Sequence, residues 1–239
     1  VSEGVVSRFS MNNFIGGGIG NHMLSTNNSF IGGGYKNGLS GTVRSSIFGG
    51  TFNTITISAD SGAGGSCDNI VIGGNTNSIQ GRSTTTNLLK SNLVGGGDNN
   101  TILDAEKGAI IGGNLNIIEK GGFTGIFAGQ SNKTYNSFCS FIAGGSNNCI
   151  LGQNNRAGII GGSGNVIGSN DTTGGYSSIL GGLSNQLSGT SNSIIGGFSN
   201  IVGQGKCSNI GGTKVHNSVS VGGLGNTIDN CNAAIIGGT

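Results

Sequence analysis

The stretch Ile110-Ile111-Gly112-Gly113-Asn114-Leu115-Asn116-Ile117-Ile118 decides the fold. It returns as Ile159-Ile160-Gly161-Gly162-Ser163-Gly164-Asn165-Val166-Ile167, and in looser form along the whole chain. Numbered from the first residue of the Gly-Gly pair, the copies start at Gly17, Gly33, Gly49, Gly73, Gly96, Gly112, Ala128, Gly144, Gly161, Gly181, Gly196, Gly211, Gly222 and Gly237. That makes fourteen copies on a base period of 15 to 16 residues. Longer steps place loops near 57–69, 80–91 and 168–177, and a step of 11 marks a degenerate copy around Thr213-Lys214-Val215-His216. A short fixed period is the mark of repeats that stack on one another to share a core.

The columns say what each repeat is. Two residues before the Gly pair, twelve of the fourteen copies carry Ile or Val. The exceptions are Asn209 and Ser220. β-Branched residues favour a pleated strand. Four residues after the first Gly stands Asn21, Asn37, Asn53, Asn77, Asn100, Asn116, Asn132, Asn148, Asn165, Asn185, Asn200 or Asn226, with Val215 the exception. Two residues further on comes a second column, mostly Met, Leu, Ile or Val. A short strand, a Gly-Gly corner, an Asn and a second short strand make one coil of a parallel β-solenoid. The expected fold is all-β, with about fourteen coils over residues 1–239 as one continuous array. Stacked Asn amides can bond along the stack and satisfy corner backbone groups, which cost about 1–3 kcal/mol each when buried unpaired. At about 4.8 Å per rung, fourteen coils predict a rod roughly 65 Å long.

Residues three and one before the Gly pair share a strand face. They trade volume: Phe14 with Gly16, Phe30 with Gly32, Ser46 with Phe48, Gly125 with Phe127, Gly158 with Ile160. Overpacking costs about 1–3 kcal/mol, so such trading suits a close-packed layer. The opposite strand face already carries the Ile column. A strand apolar on both faces belongs to a sheet covered on both sides, and one thin coil covers only one. Phe48, Ile72, Ile111, Phe127, Ile160, Leu180, Ile195 and Ile236 are therefore the expected assembly face for further copies of the chain.

Composition excludes the alternatives. Of 239 residues 52 are Gly, none is Pro or Trp, and 8% are charged. Without Pro or a Gly-X-Y triplet the chain is not collagen. Gly costs a helix about 1 kcal/mol per site, and it occurs too evenly for helices to form. No run approaches the roughly 20 apolar residues of a membrane span. The net charge of +2 comes from scattered residues, so the basic stripe expected of a nucleic-acid binder is missing. Five cysteines at irregular spacing (Cys67, Cys139, Cys149, Cys207 and Cys231) fit neither a disulfide framework nor a metal knuckle and read as small buried residues. The chain begins at Val1 and ends inside a repeat, and so reads as a segment of a longer fibre.

The segment Asn192-Ser193-Ile194-Ile195-Gly196-Gly197-Phe198-Ser199-Asn200-Ile201-Val202-Gly203 resembles the head repeats of trimeric autotransporter adhesins, which have an Asn-Ser-Val-Ala-Ile-Gly core. It is also similar to Gly-Gly-rich repeats of phage and viral tail fibres, and more weakly to the Asn-x-Val-x-Gly rolls of grass ice-binding proteins. The resemblance covers about residues 11–239. The adhesin motif has Ile where this chain has the first Gly, and Ala where it often has Ile. The resemblance implies a left-handed β-roll, a homotrimer, and a place outside the cell, on a cell surface or on a virion. It also implies a host-surface or glycan receptor as partner.

No catalytic constellation is legible. His22 and His216 lie about a dozen copies apart. Asp98, Asp104 and Glu106 form the densest acidic group and read as solvated corner charges beside Lys107. No calcium-roll motif or phosphate loop occurs, so no cofactor or metal is expected. Asn-x-Ser/Thr triplets at Asn27, Asn99, Asn132 and Asn170 follow from composition. The column after the Asn (His22, Gly38, Thr54, Ser78, Thr101, Ile117, Lys133, Cys149) is too irregular for an ice-binding ladder. The expected function is structural and adhesive, not enzymatic, with an ice- or glycan-binding module as the alternative.

Overall fold

A computed structural model describes residues 5–6, 11–57, 66–81, 90–152, 156–168, 175–203 and 217–238. These form short strands, turns and bends, with no helix, and every strand pairing is parallel. The chain is a β-solenoid. It divides into two compact units, Val1–Phe123 and Thr124–Thr239. The first unit holds a seven-stranded ladder of segments that follow the Asn column, called here the first sheet, and a six-stranded ladder of segments that precede the Gly pair, the second sheet. The second unit holds six and seven strands of the same two kinds.

Register follows the sequence columns. In the first unit's second sheet Ile31, Ile47, Val71, Val94 and Ile110 pair in succession. In its first sheet Met23, Leu39, Ile55, Ile79, Ile102 and Ile118 do the same. In the second unit Ile126, Ile142, Ile159, Ile179 and Ile194 make one column, and Ile150, Ile167, Leu187, Val202 and Ile228 the other. All of these side chains are buried. Burial of a Val, Leu or Ile contributes about 1.5–3 kcal/mol, so the two columns are the core.

The ladders carry slightly fewer rungs than the fourteen coils expected. Ser193–Ile195 pairs directly with Val219–Val221, so the ladder passes from the copy at Gly196 to that at Gly222. The copy anchored at Gly211 lies outside the described residues.

Each regular coil turns at several left-handed residues, many of them not glycine. In the coil after Gly112, beside Gly113, these are Leu115, Lys120 and Phe123, at φ of 57°, 52° and 55°. Bulky residues rarely adopt this conformation. Here the stack holds them: their N–H groups donate to the carbonyls of Asp98, Leu103 and Glu106 one coil earlier, at 2.9–3.0 Å. Inter-coil hydrogen bonding thus continues through the turns.

Candidate functional site

The Asn column forms a bonded ladder inside the Gly-Gly corner. Asn37 shows the pattern. Its Oδ1 accepts the backbone N–H of Asn53 at 2.9 Å. Its Nδ2 donates to the carbonyl of Gly33 in its own coil and of Gly50 in the next, both at 2.9 Å. Asn53 and Asn77 repeat all three bonds. In the second unit Asn148 and Asn165 do too. Asn21, Asn100, Asn116, Asn132, Asn185 and Asn200 are likewise buried and bonded, and Asn226 is half-buried with its N–H on Asn200. Each amide satisfies corner groups that no strand partner reaches.

The ladder explains one glycine of each pair. The second glycine sits at positive φ, near 87° at both Gly74 and Gly162. A Cβ on Gly74 would overlap the carbonyl oxygen of Gly97 in the next coil, and its Asn77 Nδ2 would be 2.6 Å away. The first glycine has no such constraint at Gly73, Gly112, Gly144 or Gly161: a Cβ there meets nothing within 4 Å. Ala128 already stands at this position in one copy.

A second polar ladder has no single-letter column in the sequence. Four residues before the Gly pair stand Asn13, Ser29, Ser45, Asn69, Asn92, Thr124, Ser140, Ser177, Asn192 and Ser218, nearly all buried. Asn92 Oδ1 accepts the N–H of Gly108 at 2.8 Å, and Ser140 Oγ accepts that of Ala157 at 3.2 Å. The column mixes Asn, Ser, Thr, Gly and Ala, so no single letter marks it. Its signal is constant small size at a constant offset.

The two outward faces differ. The first sheet turns out His22, Thr54, Glu119, Lys133, Tyr135 and Gln186 among others, a mixed and partly charged surface. The second sheet turns out no charged residue among its described strands. Phe48 is 55% exposed, Ile160 53% and Ile236 84%; Ile72, Ile111, Phe127, Leu180 and Ile195 are also exposed. The volume trade on this face has a counterpart within the chain. The rings of Phe14 and Phe30 lie over Gly16 and Gly32 of their own coils, and the Phe141 ring lies over Gly158. Phe14 and Phe30 also stack on each other at 5.8 Å. Aromatic rings laid over glycines level the surface.

Charges sit at the corners. Arg44 and Asp68 pair across two coils at 2.8 Å, and this hydrogen bond holds the Asp68 carboxyl below its ordinary range. Asp98 accepts from Asn75 Nδ2, and Glu106 lies 3.9 Å from Lys107, whose ammonium sits over the Phe123 ring. Of the acidic group, Glu106 lies beside Lys107, while Asp98 bonds at a different corner. Among the described residues no group of three or more His, Cys, Asp or Glu could hold a metal. A hollow of about 110 Å³ on the first sheet, lined by Val166, Gly168, Gln186, Leu187, Ser188, Ile201 and Val202, falls below the ~300 Å³ of small-molecule sites. His22 is exposed; His216 lies outside the described residues.

Cys231 is disulfide-bonded, which the irregular cysteine spacing did not suggest. Cys139 is free and exposed, contrary to its expected burial; Cys149 is free and half-buried, its thiol pushed up by desolvation. Of the four sequon asparagines, Asn132 is buried in the ladder, Asn27 and Asn99 lie at half-buried turns, and Asn170 is outside the described residues. No described helix is long and apolar enough to cross a membrane. Comparison with protein-family models and with curated proteins finds no match.

Proposed function

We propose that the chain is a structural segment of a fibre, built from several copies of itself and displayed outside the cell or on a virion surface. The observation that carries this is the uniformity of the coil. The same turns, two short strands and buried amide recur from rung to rung, and hydrogen bonds join successive coils through strands and corners alike. Stability in such a stack is a sum of repeat and neighbour terms, so length is gained by adding coils. The work assigned is mechanical: spacing, stiffness and presentation of surface to a host or glycan receptor. Its polar groups support this reading, because most of the buried Asn amides and the Arg44–Asp68 pair serve ladders and corners, and no metal-binding cluster of His, Cys, Asp or Glu forms among the described residues. An arrangement of three chains is the first to test.

Sedimentation velocity and negative-stain microscopy of the purified chain test the proposal. Oligomers with a fibrous outline are expected. A well-folded monomer at micromolar concentration overturns it.

A further inference from the structure

The outward face of the second sheet carries a row of exposed apolar side chains among the described residues. In the first unit Phe14, Phe48, Ile72 and Ile111 stand about half exposed or more, and in the second Phe127, Ile160, Leu180 and Ile195 do. A half-exposed side chain of this size leaves about 100 Å² in water, so each unit shows roughly 400–500 Å² of apolar surface here. Monomeric proteins seldom show contiguous apolar patches beyond a few hundred Å². Two copies meeting on one unit's face would bury roughly 800–1,000 Å² of these side chains alone, close to the ~1,000 Å² that a specific interface must clear.

The first glycine of each pair adds to this. Gly73, Gly112, Gly144 and Gly161 have neither a positive φ nor an atom within 4 Å of an added Cβ. Nothing inside the chain requires glycine at these four positions, and a fifth copy has Ala128 there. Gly196, Gly222 and Gly237 differ, since positive φ of 76°, 66° and 74° accounts for glycine in their copies. Each first glycine directly follows a residue of the exposed face. Repeated glycine in such a place marks the close approach of another backbone or side chain.

We infer that the second-sheet face is covered by the same face of further copies of this chain, the hollows over the first glycines taking up the neighbour's outward side chains. A face without charge offers a partner little besides shape, and its shape repeats at the rung spacing. A second copy has the same repeat and so matches it along its length; a surface without that repeat matches it at isolated points. The inference rests on the fibre reading and assigns the surface by which copies meet.

Hydroxyl-radical footprinting of the unmodified chain tests it. Phe48 and Phe127 lie on the face, Phe52 and Phe123 at corners, with similar exposure in the single chain, 55% and 51% against 44% and 59%. The face pair should label several-fold more slowly than the corner pair. In a second arm, Gly161→Leu should weaken association about tenfold or more by sedimentation, while Gly161→Ala should assemble normally. An oligomer in which Phe48 and Phe127 label as fast as Phe52 and Phe123 overturns this inference and leaves the fibre reading standing. A folded monomer of the unmodified chain removes both. Should Gly161→Leu fail to fold, the footprint of the unmodified chain decides.

Discussion

The backbone N–H of Asn116 donates to the Oδ1 of Asn100, one coil earlier, at 3.1 Å. The Asn116 amide also donates to Gly112 in its own coil at 3.1 Å. Two residues away, Asn114 is half-buried and its Oδ1 has no hydrogen-bond partner. This acceptor is shielded from water and unpaired. Asn116→Ala should therefore cost about 1–3 kcal/mol by leaving a corner carbonyl buried and unpaired. Asn114→Ala should change stability by less than about 0.5 kcal/mol. Thermal melts of the two variants check this, and equal small losses would show that the ladder does not hold the corner.

The two glycines of a pair should respond differently to one methyl group. Gly162 has φ of 86°, and a Cβ there would run into the carbonyl of Gly182. Gly161 is unobstructed. Gly162→Ala should destabilise by about 2 kcal/mol or more, since it combines left-handed strain with overpacking. Gly161→Ala should be neutral or stabilise by up to about 1 kcal/mol through lost unfolded-state entropy. Denaturant midpoints of the two variants give the comparison.

These contrasts show what the sequence makes legible. Ile110 and Asn116 announce themselves because the stack favours one residue type at each position, a β-branched aliphatic or an Asn in nearly every copy. The Gly pair also reads clearly, but its letters hide two different causes. Gly162 is glycine because of its own neighbours, whereas nothing in the chain accounts for Gly161. The column through Asn92 and Ser140 stays hidden because several small residues serve there, Asn and Ser by accepting an N–H and Gly108 and Ala157 by size alone. The copy at Gly211 keeps the Gly pair but has Asn209 in its column; it lies outside the described residues, among which Ile194 pairs directly with Ser220.

Thr134 stands in the apolar column of the first sheet and pairs in register with Ile150. It is fully buried, and its Oγ1 has no hydrogen-bond partner. An unpaired buried hydroxyl carries a desolvation penalty without compensation, about 1–3 kcal/mol. Thr134→Val keeps the shape and removes the polar atom. It should stabilise the chain by about 1 kcal/mol, read as a higher denaturant midpoint at unchanged slope.

Arg44 holds the Asp68 carboxyl below its ordinary range through their hydrogen bond. A depressed folded-state value gives stability that is present above the unfolded pKa and lost as pH falls through the folded pKa. Both side chains are about half exposed, 56% and 48%, so screening keeps the pair below about 1 kcal/mol. Asp68→Asn should melt slightly lower than the unmodified chain at neutral pH. The gap should close on acidification below the folded value of Asp68. A gap that persisted there would assign the loss to packing and not to charge.

Ile160 and Gln186 are both exposed, but they lie on opposite faces of the coil, Ile160 beside the second-sheet strand Gly158–Ile159 and Gln186 within the first-sheet strand Gln186–Leu187. In a single chain, an added charge at either site would meet water and cost less than about 0.5 kcal/mol. In the proposed assembly only Ile160 is covered. Ile160→Asp then buries an unpaired carboxylate in every copy, a change that ordinarily costs several kcal/mol. It should dissociate or unfold the assembly, while Gln186→Glu should leave sedimentation and melting unchanged. The control matters because charge added anywhere raises solubility, and a shift toward smaller species in both variants would trace to that general effect. Dissociation confined to Ile160→Asp assigns the interface to the second sheet; normal assembly of Ile160→Asp excludes it.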